Sequence, residues 1–466
     1  MKVSTDRRFA QMTDKPLIYL DNSSTTRQAD EVTDLIAEVG RVDFGNPSSL
    51  HDLGIRAEKR VTTARKIFAD TIGVRPEEVF FNSGGTEGDN TVLYGAAHSR
   101  RHRGKKIITT RVEHPAVLEA CKNLEKEGFR VTYLDVDDKC RLDMGQLARE
   151  IDDDTILISV MSVNNEVGTM MPVREIAEIA HSYGEPAGAW ADATVKPRDS
   201  FWTEKDNTHN PCQSGINVGA GSRYNMEMKP AQRGGRKDDN RILVHTDAVQ
   251  AYGKADLRNL DVDFLTVSSH KVHGPMGVGA MYRRKNVNLP AFVVGGGQEK
   301  GMRSGTENVP GIAGFGEACR LTQKDFLDNI GRMSEVRNYL MEGIRDQIPD
   351  IRINSPEELA REPGVLEAGR GICSVLNVSF LGTRGEVILH TLEEDGIFVS
   401  TGSACSSNRK QTGSHVLRAM GLSPEAIEGA IRFSFCRYNT IQEMDYVLDH
   451  LKQAVARFRR LGQFRR

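Results

Sequence analysis

Short, unbroken apolar runs separated by helical stretches constrain this chain more than any other feature. Val79-Phe80-Phe81, Lys106-Ile107-Ile108-Thr109, Val131-Thr132-Tyr133-Leu134 and Thr155-Ile156-Leu157-Ile158-Ser159-Val160 come in succession, and Ile242-Leu243-Val244 and Phe264-Leu265-Thr266-Val267 follow later. Runs of this length without polar alternation read as strands buried on both faces, as in a parallel sheet. Between or before them, helical spacing runs from about Glu31 to Val42, from His51 to Ile72, from the turn Glu113-His114-Pro115-Ala116 onward, and from Val173 to Tyr183. Strands alternating with helices imply right-handed crossovers and an α/β fold with helices on both faces of a mostly parallel sheet.

Two of these runs end in opposite charge. The first leads into Thr246-Asp247-Ala248-Val249-Gln250 and the second into Ser268-Ser269-His270-Lys271. Open α/β sheets keep their ligands at the carboxyl ends of the strands, where this acid and this lysine would converge. An acid paired with a lysine able to form a Schiff base is the minimum kit of pyridoxal phosphate chemistry. An ordinary Asp–Lys ion pair accounts for two such residues taken alone, so the rest of the chain must decide.

At 466 residues the chain is too long for one compact core, and two domains are expected. We place a large domain at 27–323 and a small one formed by 1–26 and 324–466. A net charge of −2 gives no global field favouring nucleic acid or membrane. No apolar run is long enough to span a bilayer, and the polar residues 1–15 lack the apolar core of a secretory signal, so a cytoplasmic protein is expected. The seven cysteines are odd in number, scattered and without a CxxC pair, against both a disulfide framework and a zinc site. The basic end, Arg457 to Arg466, reads as the solvated end of a last helix.

The remaining segments fill in the plan. Leu17-Ile18-Tyr19-Leu20 is a short strand leading into the polar turn Asp21-Asn22-Ser23-Ser24-Thr25-Thr26. Ser83-Gly84-Gly85-Thr86-Glu87 reads strand, glycine turn, helix, and free amides at such a helix start suit a phosphate. Residues 185–241 are polar and poor in periodic apolar positions, and read as an insertion, either mobile or a small surface lobe. His209 and Cys212 inside it have no second pair that would make a metal site. Weak strands follow at Gly277–Ala280 and Ala291–Val294, then a long helix from about Gln323 to Asp346. The second domain carries strands near Ile351–Ile353 and Ser374–Phe380, a helix from Glu386 to Glu394, the loop Ser400–Asn408, a strand at Ile431–Phe435 and a terminal helix from about Gln442 to Arg460.

Taken together, the motifs resemble those of the NifS/IscS-type cysteine desulfurases, in the class V aminotransferase group of fold-type I pyridoxal phosphate enzymes. They are Tyr19-Leu20-Asp21-Asn22, Gly45-Asn46-Pro47-Ser48-Ser49, Ser83-Gly84-Gly85-Thr86-Glu87, Glu113-His114, Asn164-Asn165-Glu166-Val167-Gly168, His245-Thr246-Asp247, Ser269-His270-Lys271, Arg303-Ser304-Gly305-Thr306 and Gly402-Ser403-Ala404-Cys405. Any one is weak; the whole set in this order, from Tyr19 to about Leu451, is specific.

The resemblance implies a fold-type I architecture, with a seven-stranded-type sheet and a smaller α+β domain carrying the catalytic cysteine loop. It implies that Lys271 joins the cofactor aldehyde and then serves as proton-transfer base. Asp247 faces the pyridine nitrogen. Gln250 and Asn165 hydrogen-bond the ring's phenolic oxygen. His114 stacks on the ring and assists proton transfers. Gly85, Thr86, Ser268 and His270 hold the phosphate. Thr306 reaches the phosphate of the other subunit in a homodimer. Arg432, helped by Asn22, binds the substrate carboxylate. Cys405, in a loop of small and hydroxylic residues where nothing apolar would bury it, would take sulfur from L-cysteine as a persulfide, release alanine and hand the sulfur to an acceptor protein.

Two departures stand out. The insertion is not expected in the family, and within it Ala191-Asp192-Ala193-Thr194 imitates the Asp247 motif. Asp247 is preferred because a strand precedes it, Gln250 follows it and Lys271 lies 24 residues on (271 − 247). Gly85 stands where many relatives have alanine, which a backbone phosphate contact tolerates. The Cys405 loop wording leans toward desulfurases serving tRNA thiolation rather than Fe–S cluster assembly. A selenocysteine lyase or another class V enzyme, and a scaffold partner that keeps the fold without catalysis, are the competing readings. Retention of Lys271, Asp247, His114 and Cys405 together speaks against the scaffold.

Overall fold

The computed structural model of the chain describes residues 15–183, 241–401 and 413–463. Its strands are β1 (Ile18–Tyr19), β2 (Val79–Asn82), β3 (Lys106–Thr110), β4 (Arg130–Leu134), β5 (Thr155–Ser159), β6 (Leu243–Asp247), β7 (Phe264–Ser268), β8 (Gly279–Arg283), β9 (Ile351–Ile353), β10 (Val375–Phe380), β11 (Ile397–Phe398) and β12 (Ala430–Ser434). Seven of them form one sheet in the order β2-β8-β7-β6-β5-β3-β4. All its pairings are parallel except the two that β8 makes with β2 and β7. Every residue of β3, β5, β6 and β7 is buried, as their unbroken apolar runs require. The strand order reverses between β3 and β5, which puts the crevice at their carboxyl ends, with Asp247 at the end of the neighbouring β6.

A second, antiparallel sheet has the order β12-β10-β9. β1 pairs in parallel with β11, so the first described strand joins the C-terminal part of the chain. The loop after β1 returns to the large sheet: Thr26 N–H donates to the His270 carbonyl at 2.9 Å and Thr26 Oγ1 to the same oxygen at 2.7 Å.

Two expectations need correction. Ala291–Val294 is not a strand; only Val293 forms an isolated bridge, to Arg303. Phe292 and Val294 are exposed, and a β-prone run with no core face to cover has nothing to hold it in a sheet. Val309–Lys324 is a helix the sequence did not suggest, and the helix expected from about 323 to 346 follows it as Phe326–Gln347, after a break at Asp325 with φ −125° and ψ 37°. The first was hidden by Pro310, Gly311, Gly314 and Gly316, which lower helix propensity. Tertiary packing needs those glycines. A Cβ on Gly314 would meet Ile36 Cγ1 at 2.6 Å, and one on Gly316 would meet Ala64 Cβ at 2.7 Å. This helix therefore lies close against Asp30–Val42 and Asp52–Ile72. Met144–Glu150 and the short helices His415–Ala419 and Pro424–Glu428 were not expected from the sequence.

Candidate active site

The acid and the lysine come together as the sequence order implies. β6 and β7 are adjacent parallel strands, with Asp247 opposite Thr266, and Lys271 closes the short turn Ser269–Lys271 that leaves β7. Lys271 Nζ donates to the carbonyls of Ser23 and Ser24, the latter at 2.6 Å, so the loop after β1 caps the lysine. Asp247 is buried, and its Oδ1 accepts the Val249 N–H at 2.9 Å. Burial pushes its carboxyl up, while His114 and Lys271 draw it down.

His114 is both a helix-start residue and a site residue. It N-caps the helix Pro115–Lys126, with Nδ1 accepting the Ala116 N–H at 3.2 Å. An accepting Nδ1 places the ring proton on Nε2. Burial lowers its pKa, and the opposing charges of Asp247 and Lys271 both bear on it, so the imidazole stands within reach of both. Behind it, the buried Glu113 accepts from the Met161 N–H and from Thr110 Oγ1, and burial pushes its pKa up to about 8.

The glycine turn lies opposite the end of β7. Gly84 sits at φ 146°, and a Cβ there would meet Ser268 Oγ at 3.5 Å; a Cβ on the neighbouring Gly279 would meet Gly84 Cα at 2.6 Å. Backbone this close has no room for larger residues. The helix Gly85–Arg100 then begins with Gly85 and Thr86, whose amides, being in the first turn, have no partner within the helix. His270 Nδ1 pairs with Thr25 Oγ1 at 3.1 Å, and burial, with the Lys271 charge, lowers its pKa to about 4, leaving it neutral at pH 7. Thr306 is exposed in the loop after β8, and Arg303 ties that loop to Glu87 in the helix first turn at 3.0 Å.

Arg432, on β12, comes to the same place from the second sheet. Its Nη2 donates to Asp21 Oδ1 at 2.8 Å and Ser24 Oγ at 2.7 Å, and its Nη1 to the Asn165 carbonyl at 3.0 Å. The sequence reading had no role for Asp21, although it lies inside the quoted Tyr19–Asn22 motif. Asn22 Nδ2 donates to the Tyr19 and Ser434 carbonyls at 3.0 and 2.8 Å, so its two N–H groups tie β1 to the strand that carries Arg432. Ser414 and His415 fasten the chain that follows residue 412: Ser414 Oγ bonds Glu166 Oε2, and His415 Nε2 donates to the Glu113 carbonyl at 2.9 Å. Cys405, the imitation motif at Ala191–Thr194, His209 and Cys212 lie outside the described residues.

The donors present fit pyridoxal phosphate. Asn165 Oδ1 and Gln250 Oε1 are buried amide oxygens without a hydrogen-bond partner, and Arg432 Nε is likewise buried and unmatched. Buried polar atoms are rarely left so, which marks this place as one built to meet a ligand. A close-packed glycine turn at a helix N-terminus suits its phosphate, and the Asp247 carboxylate suits a protonated ring nitrogen.

Comparison with known proteins agrees with this assembly. A family profile described as aminotransferase class-V matches residues 18–193 and 230–447, passing over 194–229 within the polar stretch. The chain is 34% identical over 447 residues to a cysteine desulfurase IscS of Clostridium botulinum, covering 96% of each chain. It is 36% identical over 452 residues to a cysteine desulfurase IscS of Methanosarcina thermophila, covering 97% of this chain and 95% of that one. Among solved structures, a NifS-like protein superposes with a TM-score of 0.75 at 33% identity, covering 94% of this chain and 99% of the other.

Proposed function

Because the chain belongs to the class-V aminotransferase family and to its cysteine desulfurases, we propose that it takes sulfur from L-cysteine with the residues assembled above and passes it on from Cys405. The enzyme is pyridoxal phosphate dependent. The observation that carries the residue assignment is the convergence of Lys271, Asp247, His114 and Arg432 from two different sheets on one buried crevice.

Bound there, pyridoxal phosphate supplies an electron sink for bonds broken at an amino acid's Cα and Cβ. Asn165 and Gln250 would hold its phenolic oxygen; Gly85, Thr86, Ser268 and His270 its phosphate; and Asp247 its ring nitrogen. Arg432 grips the substrate carboxylate through a planar, permanently charged fork. Lys271 Nζ takes the proton from the substrate Cα and returns a proton as alanine forms. Its two carbonyl partners at Ser23 and Ser24 fix where the nitrogen swings from. His114, neutral with its proton on Nε2, can donate to the departing group and recover the proton afterwards. The Cys405 thiolate attacks the substrate sulfur: an S–S bond forms as the Cβ–S bond breaks, L-alanine leaves, and the enzyme keeps a persulfide.

The two-domain reading, with the boundary at 323/324, draws support from the helix break at Asp325 and from the pairing of β1 with β11. We read the enzyme as a homodimer in which Thr306 of one subunit reaches the phosphate site of the other. Its exposure supports this, as do the exposed apolar Phe44, Leu50, Met276, Phe292 and Val294. A tRNA thiolation enzyme or an Fe–S scaffold would be the sulfur acceptor. A cytoplasmic setting suits the free thiols among the described cysteines. Among the described residues no helix is long and apolar enough to cross a membrane.

The test is direct. Purified protein is yellow and forms alanine and sulfide from L-cysteine with a reductant. Cys405→Ala stays yellow and loses sulfide release. Sulfide output from Cys405→Ala equal to wild type would overturn the persulfide route.

A further inference from the structure

Lys271 also lines a small cleft of about 30 Å³. That is room for one monatomic ion or about two waters. Its polar lining is Lys254, Lys271, His273, Arg437, Asn329, Cys436, Thr26 and Thr322, with no aspartate or glutamate among the described residues. Lys254 is only 7% exposed. Among the described residues its ammonium makes no hydrogen bond and no ion pair, whereas buried lysines are otherwise found paired. Burial lowers its pKa to about 8, and the neighbouring Cys373 and Cys436 thiols offset this only in part. Its own charge is felt at His270 and at His273, which places it within reach of the turn that carries Lys271. Among the described residues Arg437 has no carboxylate partner either; its Nη2 donates to the Tyr438 hydroxyl at 3.0 Å.

A buried cation in a cleft lined by further cations, with no acid, lacks the counter-charge that such a group requires. We propose that this cleft is a binding site for a small spherical monovalent anion, a halide or hydrosulfide, held by the Lys254 ammonium beside Lys271.

The proposal is tested with the holoenzyme. Crystals soaked in sodium bromide are expected to show an anomalous peak in the cleft of the wild type and of Lys254→Arg, and none in Lys254→Met. In solution, bromide at ten times its Kd is expected to raise the Tm by about 1–2 °C over gluconate at equal ionic strength, and not in Lys254→Met. Hydrosulfide in place of bromide separates the two sources: a Lys254-dependent rise with hydrosulfide assigns that ion, and a rise with halides alone assigns a halide. Retained yellow colour controls for folding of the variants. No bromide peak in the wild-type cleft, or a peak and a Tm rise that survive Lys254→Met, would overturn the proposal.

Discussion

Replacing Arg432 with lysine keeps the positive charge and removes the fork, which isolates what the guanidinium geometry contributes. Arg432 makes three hydrogen bonds, two from Nη2 to Asp21 and Ser24 and one from Nη1 to the Asn165 carbonyl. Of its five N–H groups, Nε–H and the second Nη1–H then remain on different edges of the guanidinium, so one of them meets the substrate carboxylate. A lysine ammonium in the same place has three protons. Asp21, Ser24 and the Asn165 carbonyl claim all three, leaving none for the substrate. The variant thus loses about one charge-assisted hydrogen bond to the carboxylate, roughly 1.5–3 kcal/mol, or about 10- to 150-fold in kcat/KM. The carboxylate is held equally before and during the chemistry, so the loss should fall on KM, with kcat within a few-fold. Initial rates of alanine formation across a range of L-cysteine concentrations read this split. A KM within about twofold of wild type would refute the assignment, and a fall confined to kcat would move Arg432 from carboxylate binding to the reacting centre.

Other consequences are equally concrete. Lys271→Ala should lose its yellow colour on dialysis and alanine formation with it, since no other lysine stands at the end of β7; retained colour and turnover would show that a different amine serves. Glu113, raised from its ordinary 4.5 to about 8, stays protonated in the fold over a range where the unfolded chain has ionised, so it costs stability progressively as pH rises from about 4.5 to 8. Glu113→Gln should accordingly raise the Tm relative to wild type more at pH 8 than at pH 5, and an equal shift at both would show that the carboxyl is not held neutral. A Cβ on Gly88 would collide with Thr266 Cγ2 on β7, so Gly88→Ala should cost about 1–3 kcal/mol by overpacking, read by denaturant unfolding.

The sheet was legible because its strands are buried on both faces. Unbroken apolar runs at β3, β5, β6 and β7 have no other stable use in a chain of this composition, and the motifs at their ends supplied most of the site. What local pattern could not show lies where packing overrides propensity. The helix Val309–Lys324 contains three glycines and a proline, and forms because two other helices come too close for side chains at Gly314 and Gly316. Ala291–Val294 has strand composition and no sheet to join. Asp21 was quoted within a motif without a role, since only the fold brings β12 across to give it Arg432 as a partner. Lys254 gave no signal at all: a lysine after a glycine looks like any surface lysine until the structure buries it.

The sequence by itself determined the class of fold and the family, and nominated the lysine and the acid, because these depend on residue types and on order along the chain. The tertiary structure alone decided which groups face one another. It set His114 as helix cap and neutral imidazole at once, spent the N–H groups of Asn22 on joining β1 to the strand bearing Arg432, and left the Asn165 and Gln250 amide oxygens without partners. Such facts depend on burial and on distances between residues hundreds of positions apart, and no local periodicity encodes them.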